Sequence, residues 1–310
     1  MSDAPPSSPS SPTPAQRRVG LLLAAGGAVA FSGKAIIVKL AYRYGVDAVT
    51  LIMYRMLFAL PLFLVMLWWA TYRQGRPVAP LTRRDALGIA WLGFTGYYAA
   101  SFLDFWGLQY ISASLERLIL YLNPTLVLIL GWLLYRRPIS ARQAAAMALS
   151  YAGVLLVFGH EVTFDGWSTA TGAALVLASA VSYAVYLVYS GQLVRRLGSL
   201  RLVGWATTVA CLLCLLQFVL LRPLSAALVA PQVLALSLAN AVLCTAAPVV
   251  MVMMAIERIG AGLTAQTGMI GPLSTIALGV VVLGEPFNAW IVAGTALVLA
   301  GVLWVSRQPG

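Results

Sequence analysis

The run "YISASLERLILYLNPTLVLILGWLLYRRP", residues 110 to 138, lies without a gap over "RIGAGLTAQTGMIGPLSTIALGVVVLGEP", residues 258 to 286. A shift of 148 residues puts Pro124 on Pro272, Gly131 on Gly279, Pro138 on Pro286 and Gly153 on Gly301. The tails "YAGVLLVFG" (151–159) and "LAGVLWVSR" (299–307) continue in the same register. Proline fixes φ and glycine permits conformations and close approaches that other residues do not, so four of them recurring in register point to a repeated structural unit. The chain divides into two homologous halves, 19–160 and 166–306, after a tail of residues 1–18.

Both copies are apolar enough to cross a bilayer, and so is most of the chain. Charged residues are 9% of the 310 and hydrophobic ones 61%, with a mean hydropathy of +0.89; soluble domains carry roughly 25% charged residues. Ten apolar stretches suit a hydrocarbon core of about 30 Å. They fall near 20–41, 48–70, 86–108, 112–134, 141–159, 170–190, 201–221, 233–256, 262–283 and 288–306. The expected fold is an all-α polytopic membrane protein of ten transmembrane helices. Five spans is an odd number, so the halves enter the membrane from opposite sides and form an inverted repeat. That symmetry is the basis of alternating access.

The net charge of +11 is distributed as a membrane topology signal. With the N-terminus inside, the inner segments hold Arg17, Arg18, Arg73, Arg76, Arg83, Arg84, Arg136, Arg137, Arg142, Arg195, Arg196, Arg201, Arg258 and Arg307; the outer loops hold Arg43 and Arg222. This bias puts both ends in the cytoplasm and offers the basic excess to anionic lipid, with no nucleic-acid partner required. The tail "MSDAPPSSPSSPTPAQRR" lacks an apolar region, so it is expected as a disordered cytoplasmic tail and not a cleaved signal peptide. Cys211, Cys214 and Cys244 lie in apolar spans and imply neither disulfides nor a metal site.

Several segments, "LLAAGGAVAFSGKAIIVK", "YRMLFALPLFL", "YISASLERLILYLNPTLVLILG" and "GEPFNAWIVAGTALVLAGVLWVS", resemble the two EamA repeats of the drug/metabolite transporter superfamily over nearly the whole chain. Within it the chain is similar to bacterial aromatic amino-acid exporters of the YddG type. The resemblance implies a bacterial inner-membrane exporter of amino acids and related amphiphilic metabolites, and its pattern identifies fold better than substrate. The usual Gly-Glu after a repeat's fourth span stands here as Gly284-Glu285, whereas the first half has Arg136-Arg137. Glu285 is therefore not counted among the site residues.

Polar residues recur at helical spacing in the apolar spans: Tyr97, Ser101 and Asp104; Ser114, Arg117, Tyr121 and Thr125; Ser179, Ser182, Tyr183, Tyr186 and Ser190; Thr264, Thr267, Gly271 and Ser274. Such faces line a translocation path or bond neighbouring helices. The expected path residues are Ser32, Tyr97, Tyr98, Ser101, Tyr121, Asn123, Ser182, Tyr183, Tyr186 and Thr267. Five charges lie in the outward half of the first repeat: Lys34, Arg55, Asp104, Glu116 and Arg117. An unpaired charge at the bilayer centre costs about 2.5–3.5 kcal/mol even on lenient scales, so these should pair or face water. Asp104 with Arg117 is the expected pair. The cluster reads either as a salt-bridge core or as an outer gate meeting the two charges of a zwitterion.

Pro124 frees the Leu120 carbonyl and Pro272 frees that of Gly268. Matched Gly/Pro-interrupted helices point to a midplane solute site, with Pro124, Gly268, Gly271 and Pro272 as hinges. Trp68, Trp69, Trp91, Trp290 and Trp304 near span ends read as interface anchors. The sole histidine, His160, is expected in an outer loop, and HExxH and GxSxG are absent, so no enzyme and no cofactor is expected. "AVAFSGKA" departs from a P-loop at Ala28 and Ala35. Export of drugs or nucleotide sugars, and a pore-like facilitator, stay open as alternatives. Gly294 and Gly301 fit a dimer face and packing within the bundle equally, which leaves the oligomeric state open, a monomer included.

Overall fold

The computed structural model describes residues 14–72, 80–136 and 138–306. Residues 1–13 of the expected tail, and Arg73, Arg76, Arg137 and Arg307, lie outside them; residues 14–18 are helical and open the first span. The first repeat comprises α1 (Pro14–Tyr42), α2 (Ala48–Tyr72), α3 (Arg83–Gly107), α4 (Ala113–Tyr135) and α5 (Ala141–Asp165). The second comprises α6 (Trp167–Leu197), α7 (Ser199–Leu221), α8 (Pro231–Ala241 continued by Ala247–Gly268), α9 (Ile270–Leu283) and α10 (Ala289–Ser306). Two starts are written locally. Thr82 and Asp85 form a capping box at α3, and Ser140 and Gln143 form one at α5.

The repeat seen in sequence is also one of helix irregularity. Both third spans contain a π-helical turn, Phe94–Ala99 in α3 and Val242–Ala246 in α8. Both fourth segments break at the matched place: α4 at Tyr121 and Leu122, and the chain between α8 and α9 at Met269. The left-handed residue that ends α4, Arg136 (φ 51°), matches Gly284 (φ 73°) at the end of α9.

Contacts fix the directions. Gly33 meets Cys244, Gly27 meets Val252 and Gly20 meets Ile259, so α8 runs antiparallel to α1. Gly271 then lies beside Ser32, and Arg43 donates to the Leu283 carbonyl, so the chain has turned back and α9 runs parallel to α1. α5 ends, and α6 begins, at the face where α1 ends. The second repeat is inverted. We name the two faces by their ion pairs. Asp47 with Arg222 (3.1 Å) marks one, and Asp85 with Arg196 (3.1 Å) the other. Partial burial acts to raise the Asp47 pKa, but hydrogen bonds from Thr50 and the Arg222 guanidinium outweigh it and hold the carboxyl below its usual range. The described ends, Pro14 and Ser306, share the Asp85 face.

Packing does not follow the repeats. α1 packs chiefly on α8 and α9, while α6 packs chiefly on α3 and α4. Each repeat has lent its first helix to the other, which gives two equivalent three-helix bundles, α1–α8–α9 and α6–α3–α4. α2 with α7, and α5 with α10, pair along the pseudo-twofold axis. Among the described residues, α1 and α8 make no comparable contact with α3 or α6.

The α5–α10 seam depends on missing side chains. A Cβ on Gly294 would lie 2.7 Å from the Gly153 carbonyl oxygen, and one on Gly301 would collide with Ser150 Oγ and lie 2.6 Å from the Ala146 carbonyl oxygen. These glycines pack inside the bundle. Gly294→Val should destabilise the protein by about 1–3 kcal/mol through overpacking, seen as a lower melting temperature in detergent. Gly131→Ala, whose Cβ would meet nothing within 4 Å, should leave that temperature unchanged.

Candidate functional site

The site begins with the backbone groups that the helix breaks release. Inside a bilayer such groups need protein partners, since an unsatisfied one costs several kcal/mol. Tyr121 Oη donates to the Gly268 carbonyl (2.8 Å); beside the break, Ser32 Oγ lies 2.8 Å from the Gly271 carbonyl, which is within α9. Asn123 Nδ2 donates to the Leu120 carbonyl (2.7 Å). The two carbonyls freed by Pro124 and Pro272 are thus both taken by side chains, one of them from the opposite repeat. Pro124 itself lies in the first turn of the helix segment Asn123–Tyr135, where its missing N–H is least costly.

Further toward the Asp47 face lies a buried charge layer. Lys34 Nζ is 2.5 Å from Asp104 Oδ2 and 3.0 Å from Glu116 Oε1, and Glu116 is fully buried. The expected Asp104–Arg117 pair does not form. Arg117 instead donates to Thr275 Oγ1 (2.9 Å) and the Phe31 carbonyl (3.0 Å), because its face of α4 turns toward α9 and α1. Arg55 lies over the Phe105 ring (5.0 Å to the centroid) and donates to Thr245 Oγ1 (3.1 Å), beside the π-helical turn of α8.

The tyrosines form a separate layer. Tyr97 Oη and Tyr186 Oη are 3.3 Å apart, and Tyr183 stacks on Tyr186. Counted along α3 from Asp104, Tyr97 is two turns, or about 10 Å, toward the Asp85 face. Ser182 donates to the Thr95 carbonyl (2.7 Å), so its hydroxyl holds the π-helical turn of α3. Tyr98 packs against a core cluster drawn largely from α1 and α2, Ser101 is half-buried, and Thr267 bonds back to the Leu263 carbonyl within its own helix. Trp68, Trp69, Trp91, Trp290 and Trp304 are exposed near helix ends.

A cavity of about 730 Å³ opens at the Asp47 face, lined among others by Lys39, Arg43, Ser112, His160, Glu161 and Glu285. Two carboxylates meet the N-terminus of α4 there. Glu161 accepts from Ser112 Oγ (2.5 Å), and Glu285 accepts from the Ala113 N–H (2.7 Å), the Ser114 N–H (3.3 Å) and Ser114 Oγ (2.8 Å). Charge-assisted bonds at a helix N-terminus are among the stronger ones. His160, expected in a loop, is in the last turns of α5, with Nε2 2.9 Å from Asn288 Nδ2. Sequence reasoning passes over Glu285 because the matched residue of the first repeat is an arginine; the signal that could find it is the Gly-Glu pattern itself.

The hydrogen bonds and ion pairs described between the two bundles lie on one side. Lys34 with Asp104 and Glu116, Arg117 with Phe31 and Thr275, Tyr42 with the Phe105 carbonyl, Lys39 with the Ile111 carbonyl and Glu285 with α4 all belong to the half toward the Asp47 face. Tyr121 with Gly268 is the tie nearest the middle.

The model of the EamA-like transporter family matches residues 18–159 and again 170–307, one match to each inverted repeat. The chain belongs to the EamA-like transporter family. It is 31% identical over 273 residues to the uncharacterized transporter YcbK of Bacillus subtilis (strain 168), covering 84% of this chain and 83% of that protein. An uncharacterized transporter of Archaeoglobus fulgidus is 23% identical over 274 residues, 88% of this chain and 92% of its own. A solved crystal structure superposes with a TM-score of 0.65 over 93% of this chain and 98% of its own, at 16% identity, a likeness of fold alone. As an EamA-family protein the chain is a multi-pass membrane transporter of small solutes.

Removing one member of a buried ion cluster costs about 3–5 kcal/mol, more than replacing the whole cluster by neutral groups. Lys34→Ala should therefore lower stability by about that amount in a detergent melt. The triple variant Lys34→Met, Asp104→Asn, Glu116→Gln should recover most of the loss.

Proposed function

We propose that this EamA-family chain is a secondary exporter of small metabolites, above all amino acids including aromatic ones. It works by alternating access through the cleft between the two three-helix bundles. It sits in the bacterial inner membrane with both ends cytoplasmic, as the arginine distribution favours. One observation carries the reading. The described ties between the bundles lie in the half toward the Asp47 face, which leaves Tyr97, Ser101, Tyr121, Tyr183 and Thr267 half-buried in and beyond the middle. A solute entering there meets aromatic rings first and charges of both signs beyond. Rings accept an apolar body and tyrosine hydroxyls its polar end, while buried carboxylates and cations suit an ammonium and a carboxylate. A zwitterion with an aromatic side chain has both halves of that description.

Counterflow in proteoliposomes against a panel of amino acids tests the substrate class. Saturable exchange with trans-stimulation by phenylalanine, tyrosine or tryptophan is expected. Exchange of drugs or nucleotide sugars alone would overturn the substrate class, and linear, non-competitive flux would mean a pore. The same assay reports on the broken helices. Pro124→Ala with Pro272→Ala should lower the initial rate more than it lowers membrane abundance, because the hinges would re-form as continuous helix. Unchanged flux would remove them from the mechanism.

A further inference from the structure

We infer that the two repeats are unequal in charge to a purpose, and that this inequality sets the resting state: shut toward the Asp47 face, open toward the Asp85 face, with Lys34, Asp104, Glu116 and Glu285 as the lock. The inference rests on the alternating-access reading and adds the direction in which the empty protein waits.

In a symmetric inverted repeat, each tie that shuts one face has a mate that shuts the other after the bundles rock. The register supplies the mates. Lys34 corresponds to Ser182, Asp104 to Val252, Glu116 to Thr264, Arg117 to Ala265 and Lys39 to Leu187. None of these can form an ion pair. The same holds at the rim. Arg136 and Gly284 end their helices in matched left-handed conformations, and the next residues are Arg137 and Glu285. A carboxylate accepts from backbone N–H groups, as Glu285 does at Ala113 and Ser114; a guanidinium has donors only and cannot. The lock chemistry of the Asp47 face is therefore absent from its register mates in the opposite repeat.

An interaction made in one of two states shifts their populations toward that state. Here the lock closes the face on which the sequence places few arginines. An exporter biased this way presents its cleft to the cytoplasm when empty, and the solute must help to part the lock.

Two reporters read the state without any transport assay. Ala113 is fully buried behind Glu285, and Thr267 is half-buried on the other side of the charge layer. Ala113→Cys and Thr267→Cys are each placed in a background with Cys211, Cys214 and Cys244 replaced by alanine. Right-side-out and inside-out vesicles are labelled with a membrane-impermeant maleimide. We expect Ala113→Cys to be protected and Thr267→Cys to label from the arginine-rich side. Giving the lock its mates' residues (Lys34→Ser, Asp104→Val, Glu116→Thr) should move the ratio of the two labelling rates by at least about tenfold, the shift that roughly 1.4 kcal/mol produces. Glu285→Gln, a smaller change, should move it in the same direction and serves if the triple variant does not reach the membrane. Equal labelling of both reporters in the parent, or ratios unmoved by Glu285→Gln at equal abundance, would overturn the inference. Failure of amino-acid counterflow alongside the expected labelling would instead reject the substrate reading and leave the lock standing.

Discussion

The structure is governed by the rule that a backbone polar group in hydrocarbon must find its partner within the protein. An unbroken helix obeys it alone; a broken one needs help. The breaks at Tyr121–Leu122 and Met269 expose carbonyls that Asn123 and Tyr121 then satisfy. Since Tyr121 comes from one repeat and its acceptor Gly268 from the other, satisfying the backbone also ties the repeats together. The place where helices are weakest is thus the place where the two halves must meet. A joint and a contact are made by the same atoms.

The charge layer obeys a second version of this rule. Lys34, Asp104 and Glu116 come from three helices in two bundles, and each charge is tolerable only while the others stay near. This makes the contact all-or-none in character: a small separation admits water, and a large one leaves each charge hydrated in an open cleft. Intermediate geometries are the costly ones. On the alternating-access reading proposed above, electrostatics as much as symmetry would then separate the two conformations.

The architecture is legible because glycine, proline and hydropathy carry it. The 148-residue register locates the paired breaks and the freed carbonyls of Leu120 and Gly268, and the odd number of spans gives the inversion. The exchange of α1 and α6 between repeats is not legible. Hydropathy says that a helix is buried in lipid or protein but not which neighbour it chooses. For the same reason a reading of the sequence pairs Asp104 with Arg117, its neighbour across a short turn, when its partner is Lys34 from the other bundle. Glu285 escapes notice when halves that are alike in backbone and unlike in chemistry are compared. His160 reads as a loop residue because α5 continues beyond its apolar stretch, and polar helix ends carry no hydropathy signal.

The π-helical turns at Phe94–Ala99 and Val242–Ala246 sit at one place in both repeats. Such a turn holds an extra residue in a helix, and each residue rotates the remainder of the helix by about 100°. Asp104, beyond it in α3, faces Lys34 with that rotation present. Both copies share it, so the same rotation sets the phase of α8 beyond Ala246 in the second repeat. The phase of the helix is thus common to both repeats, while the charge that uses it, Asp104, stands in the first alone and is matched by Val252 in the second.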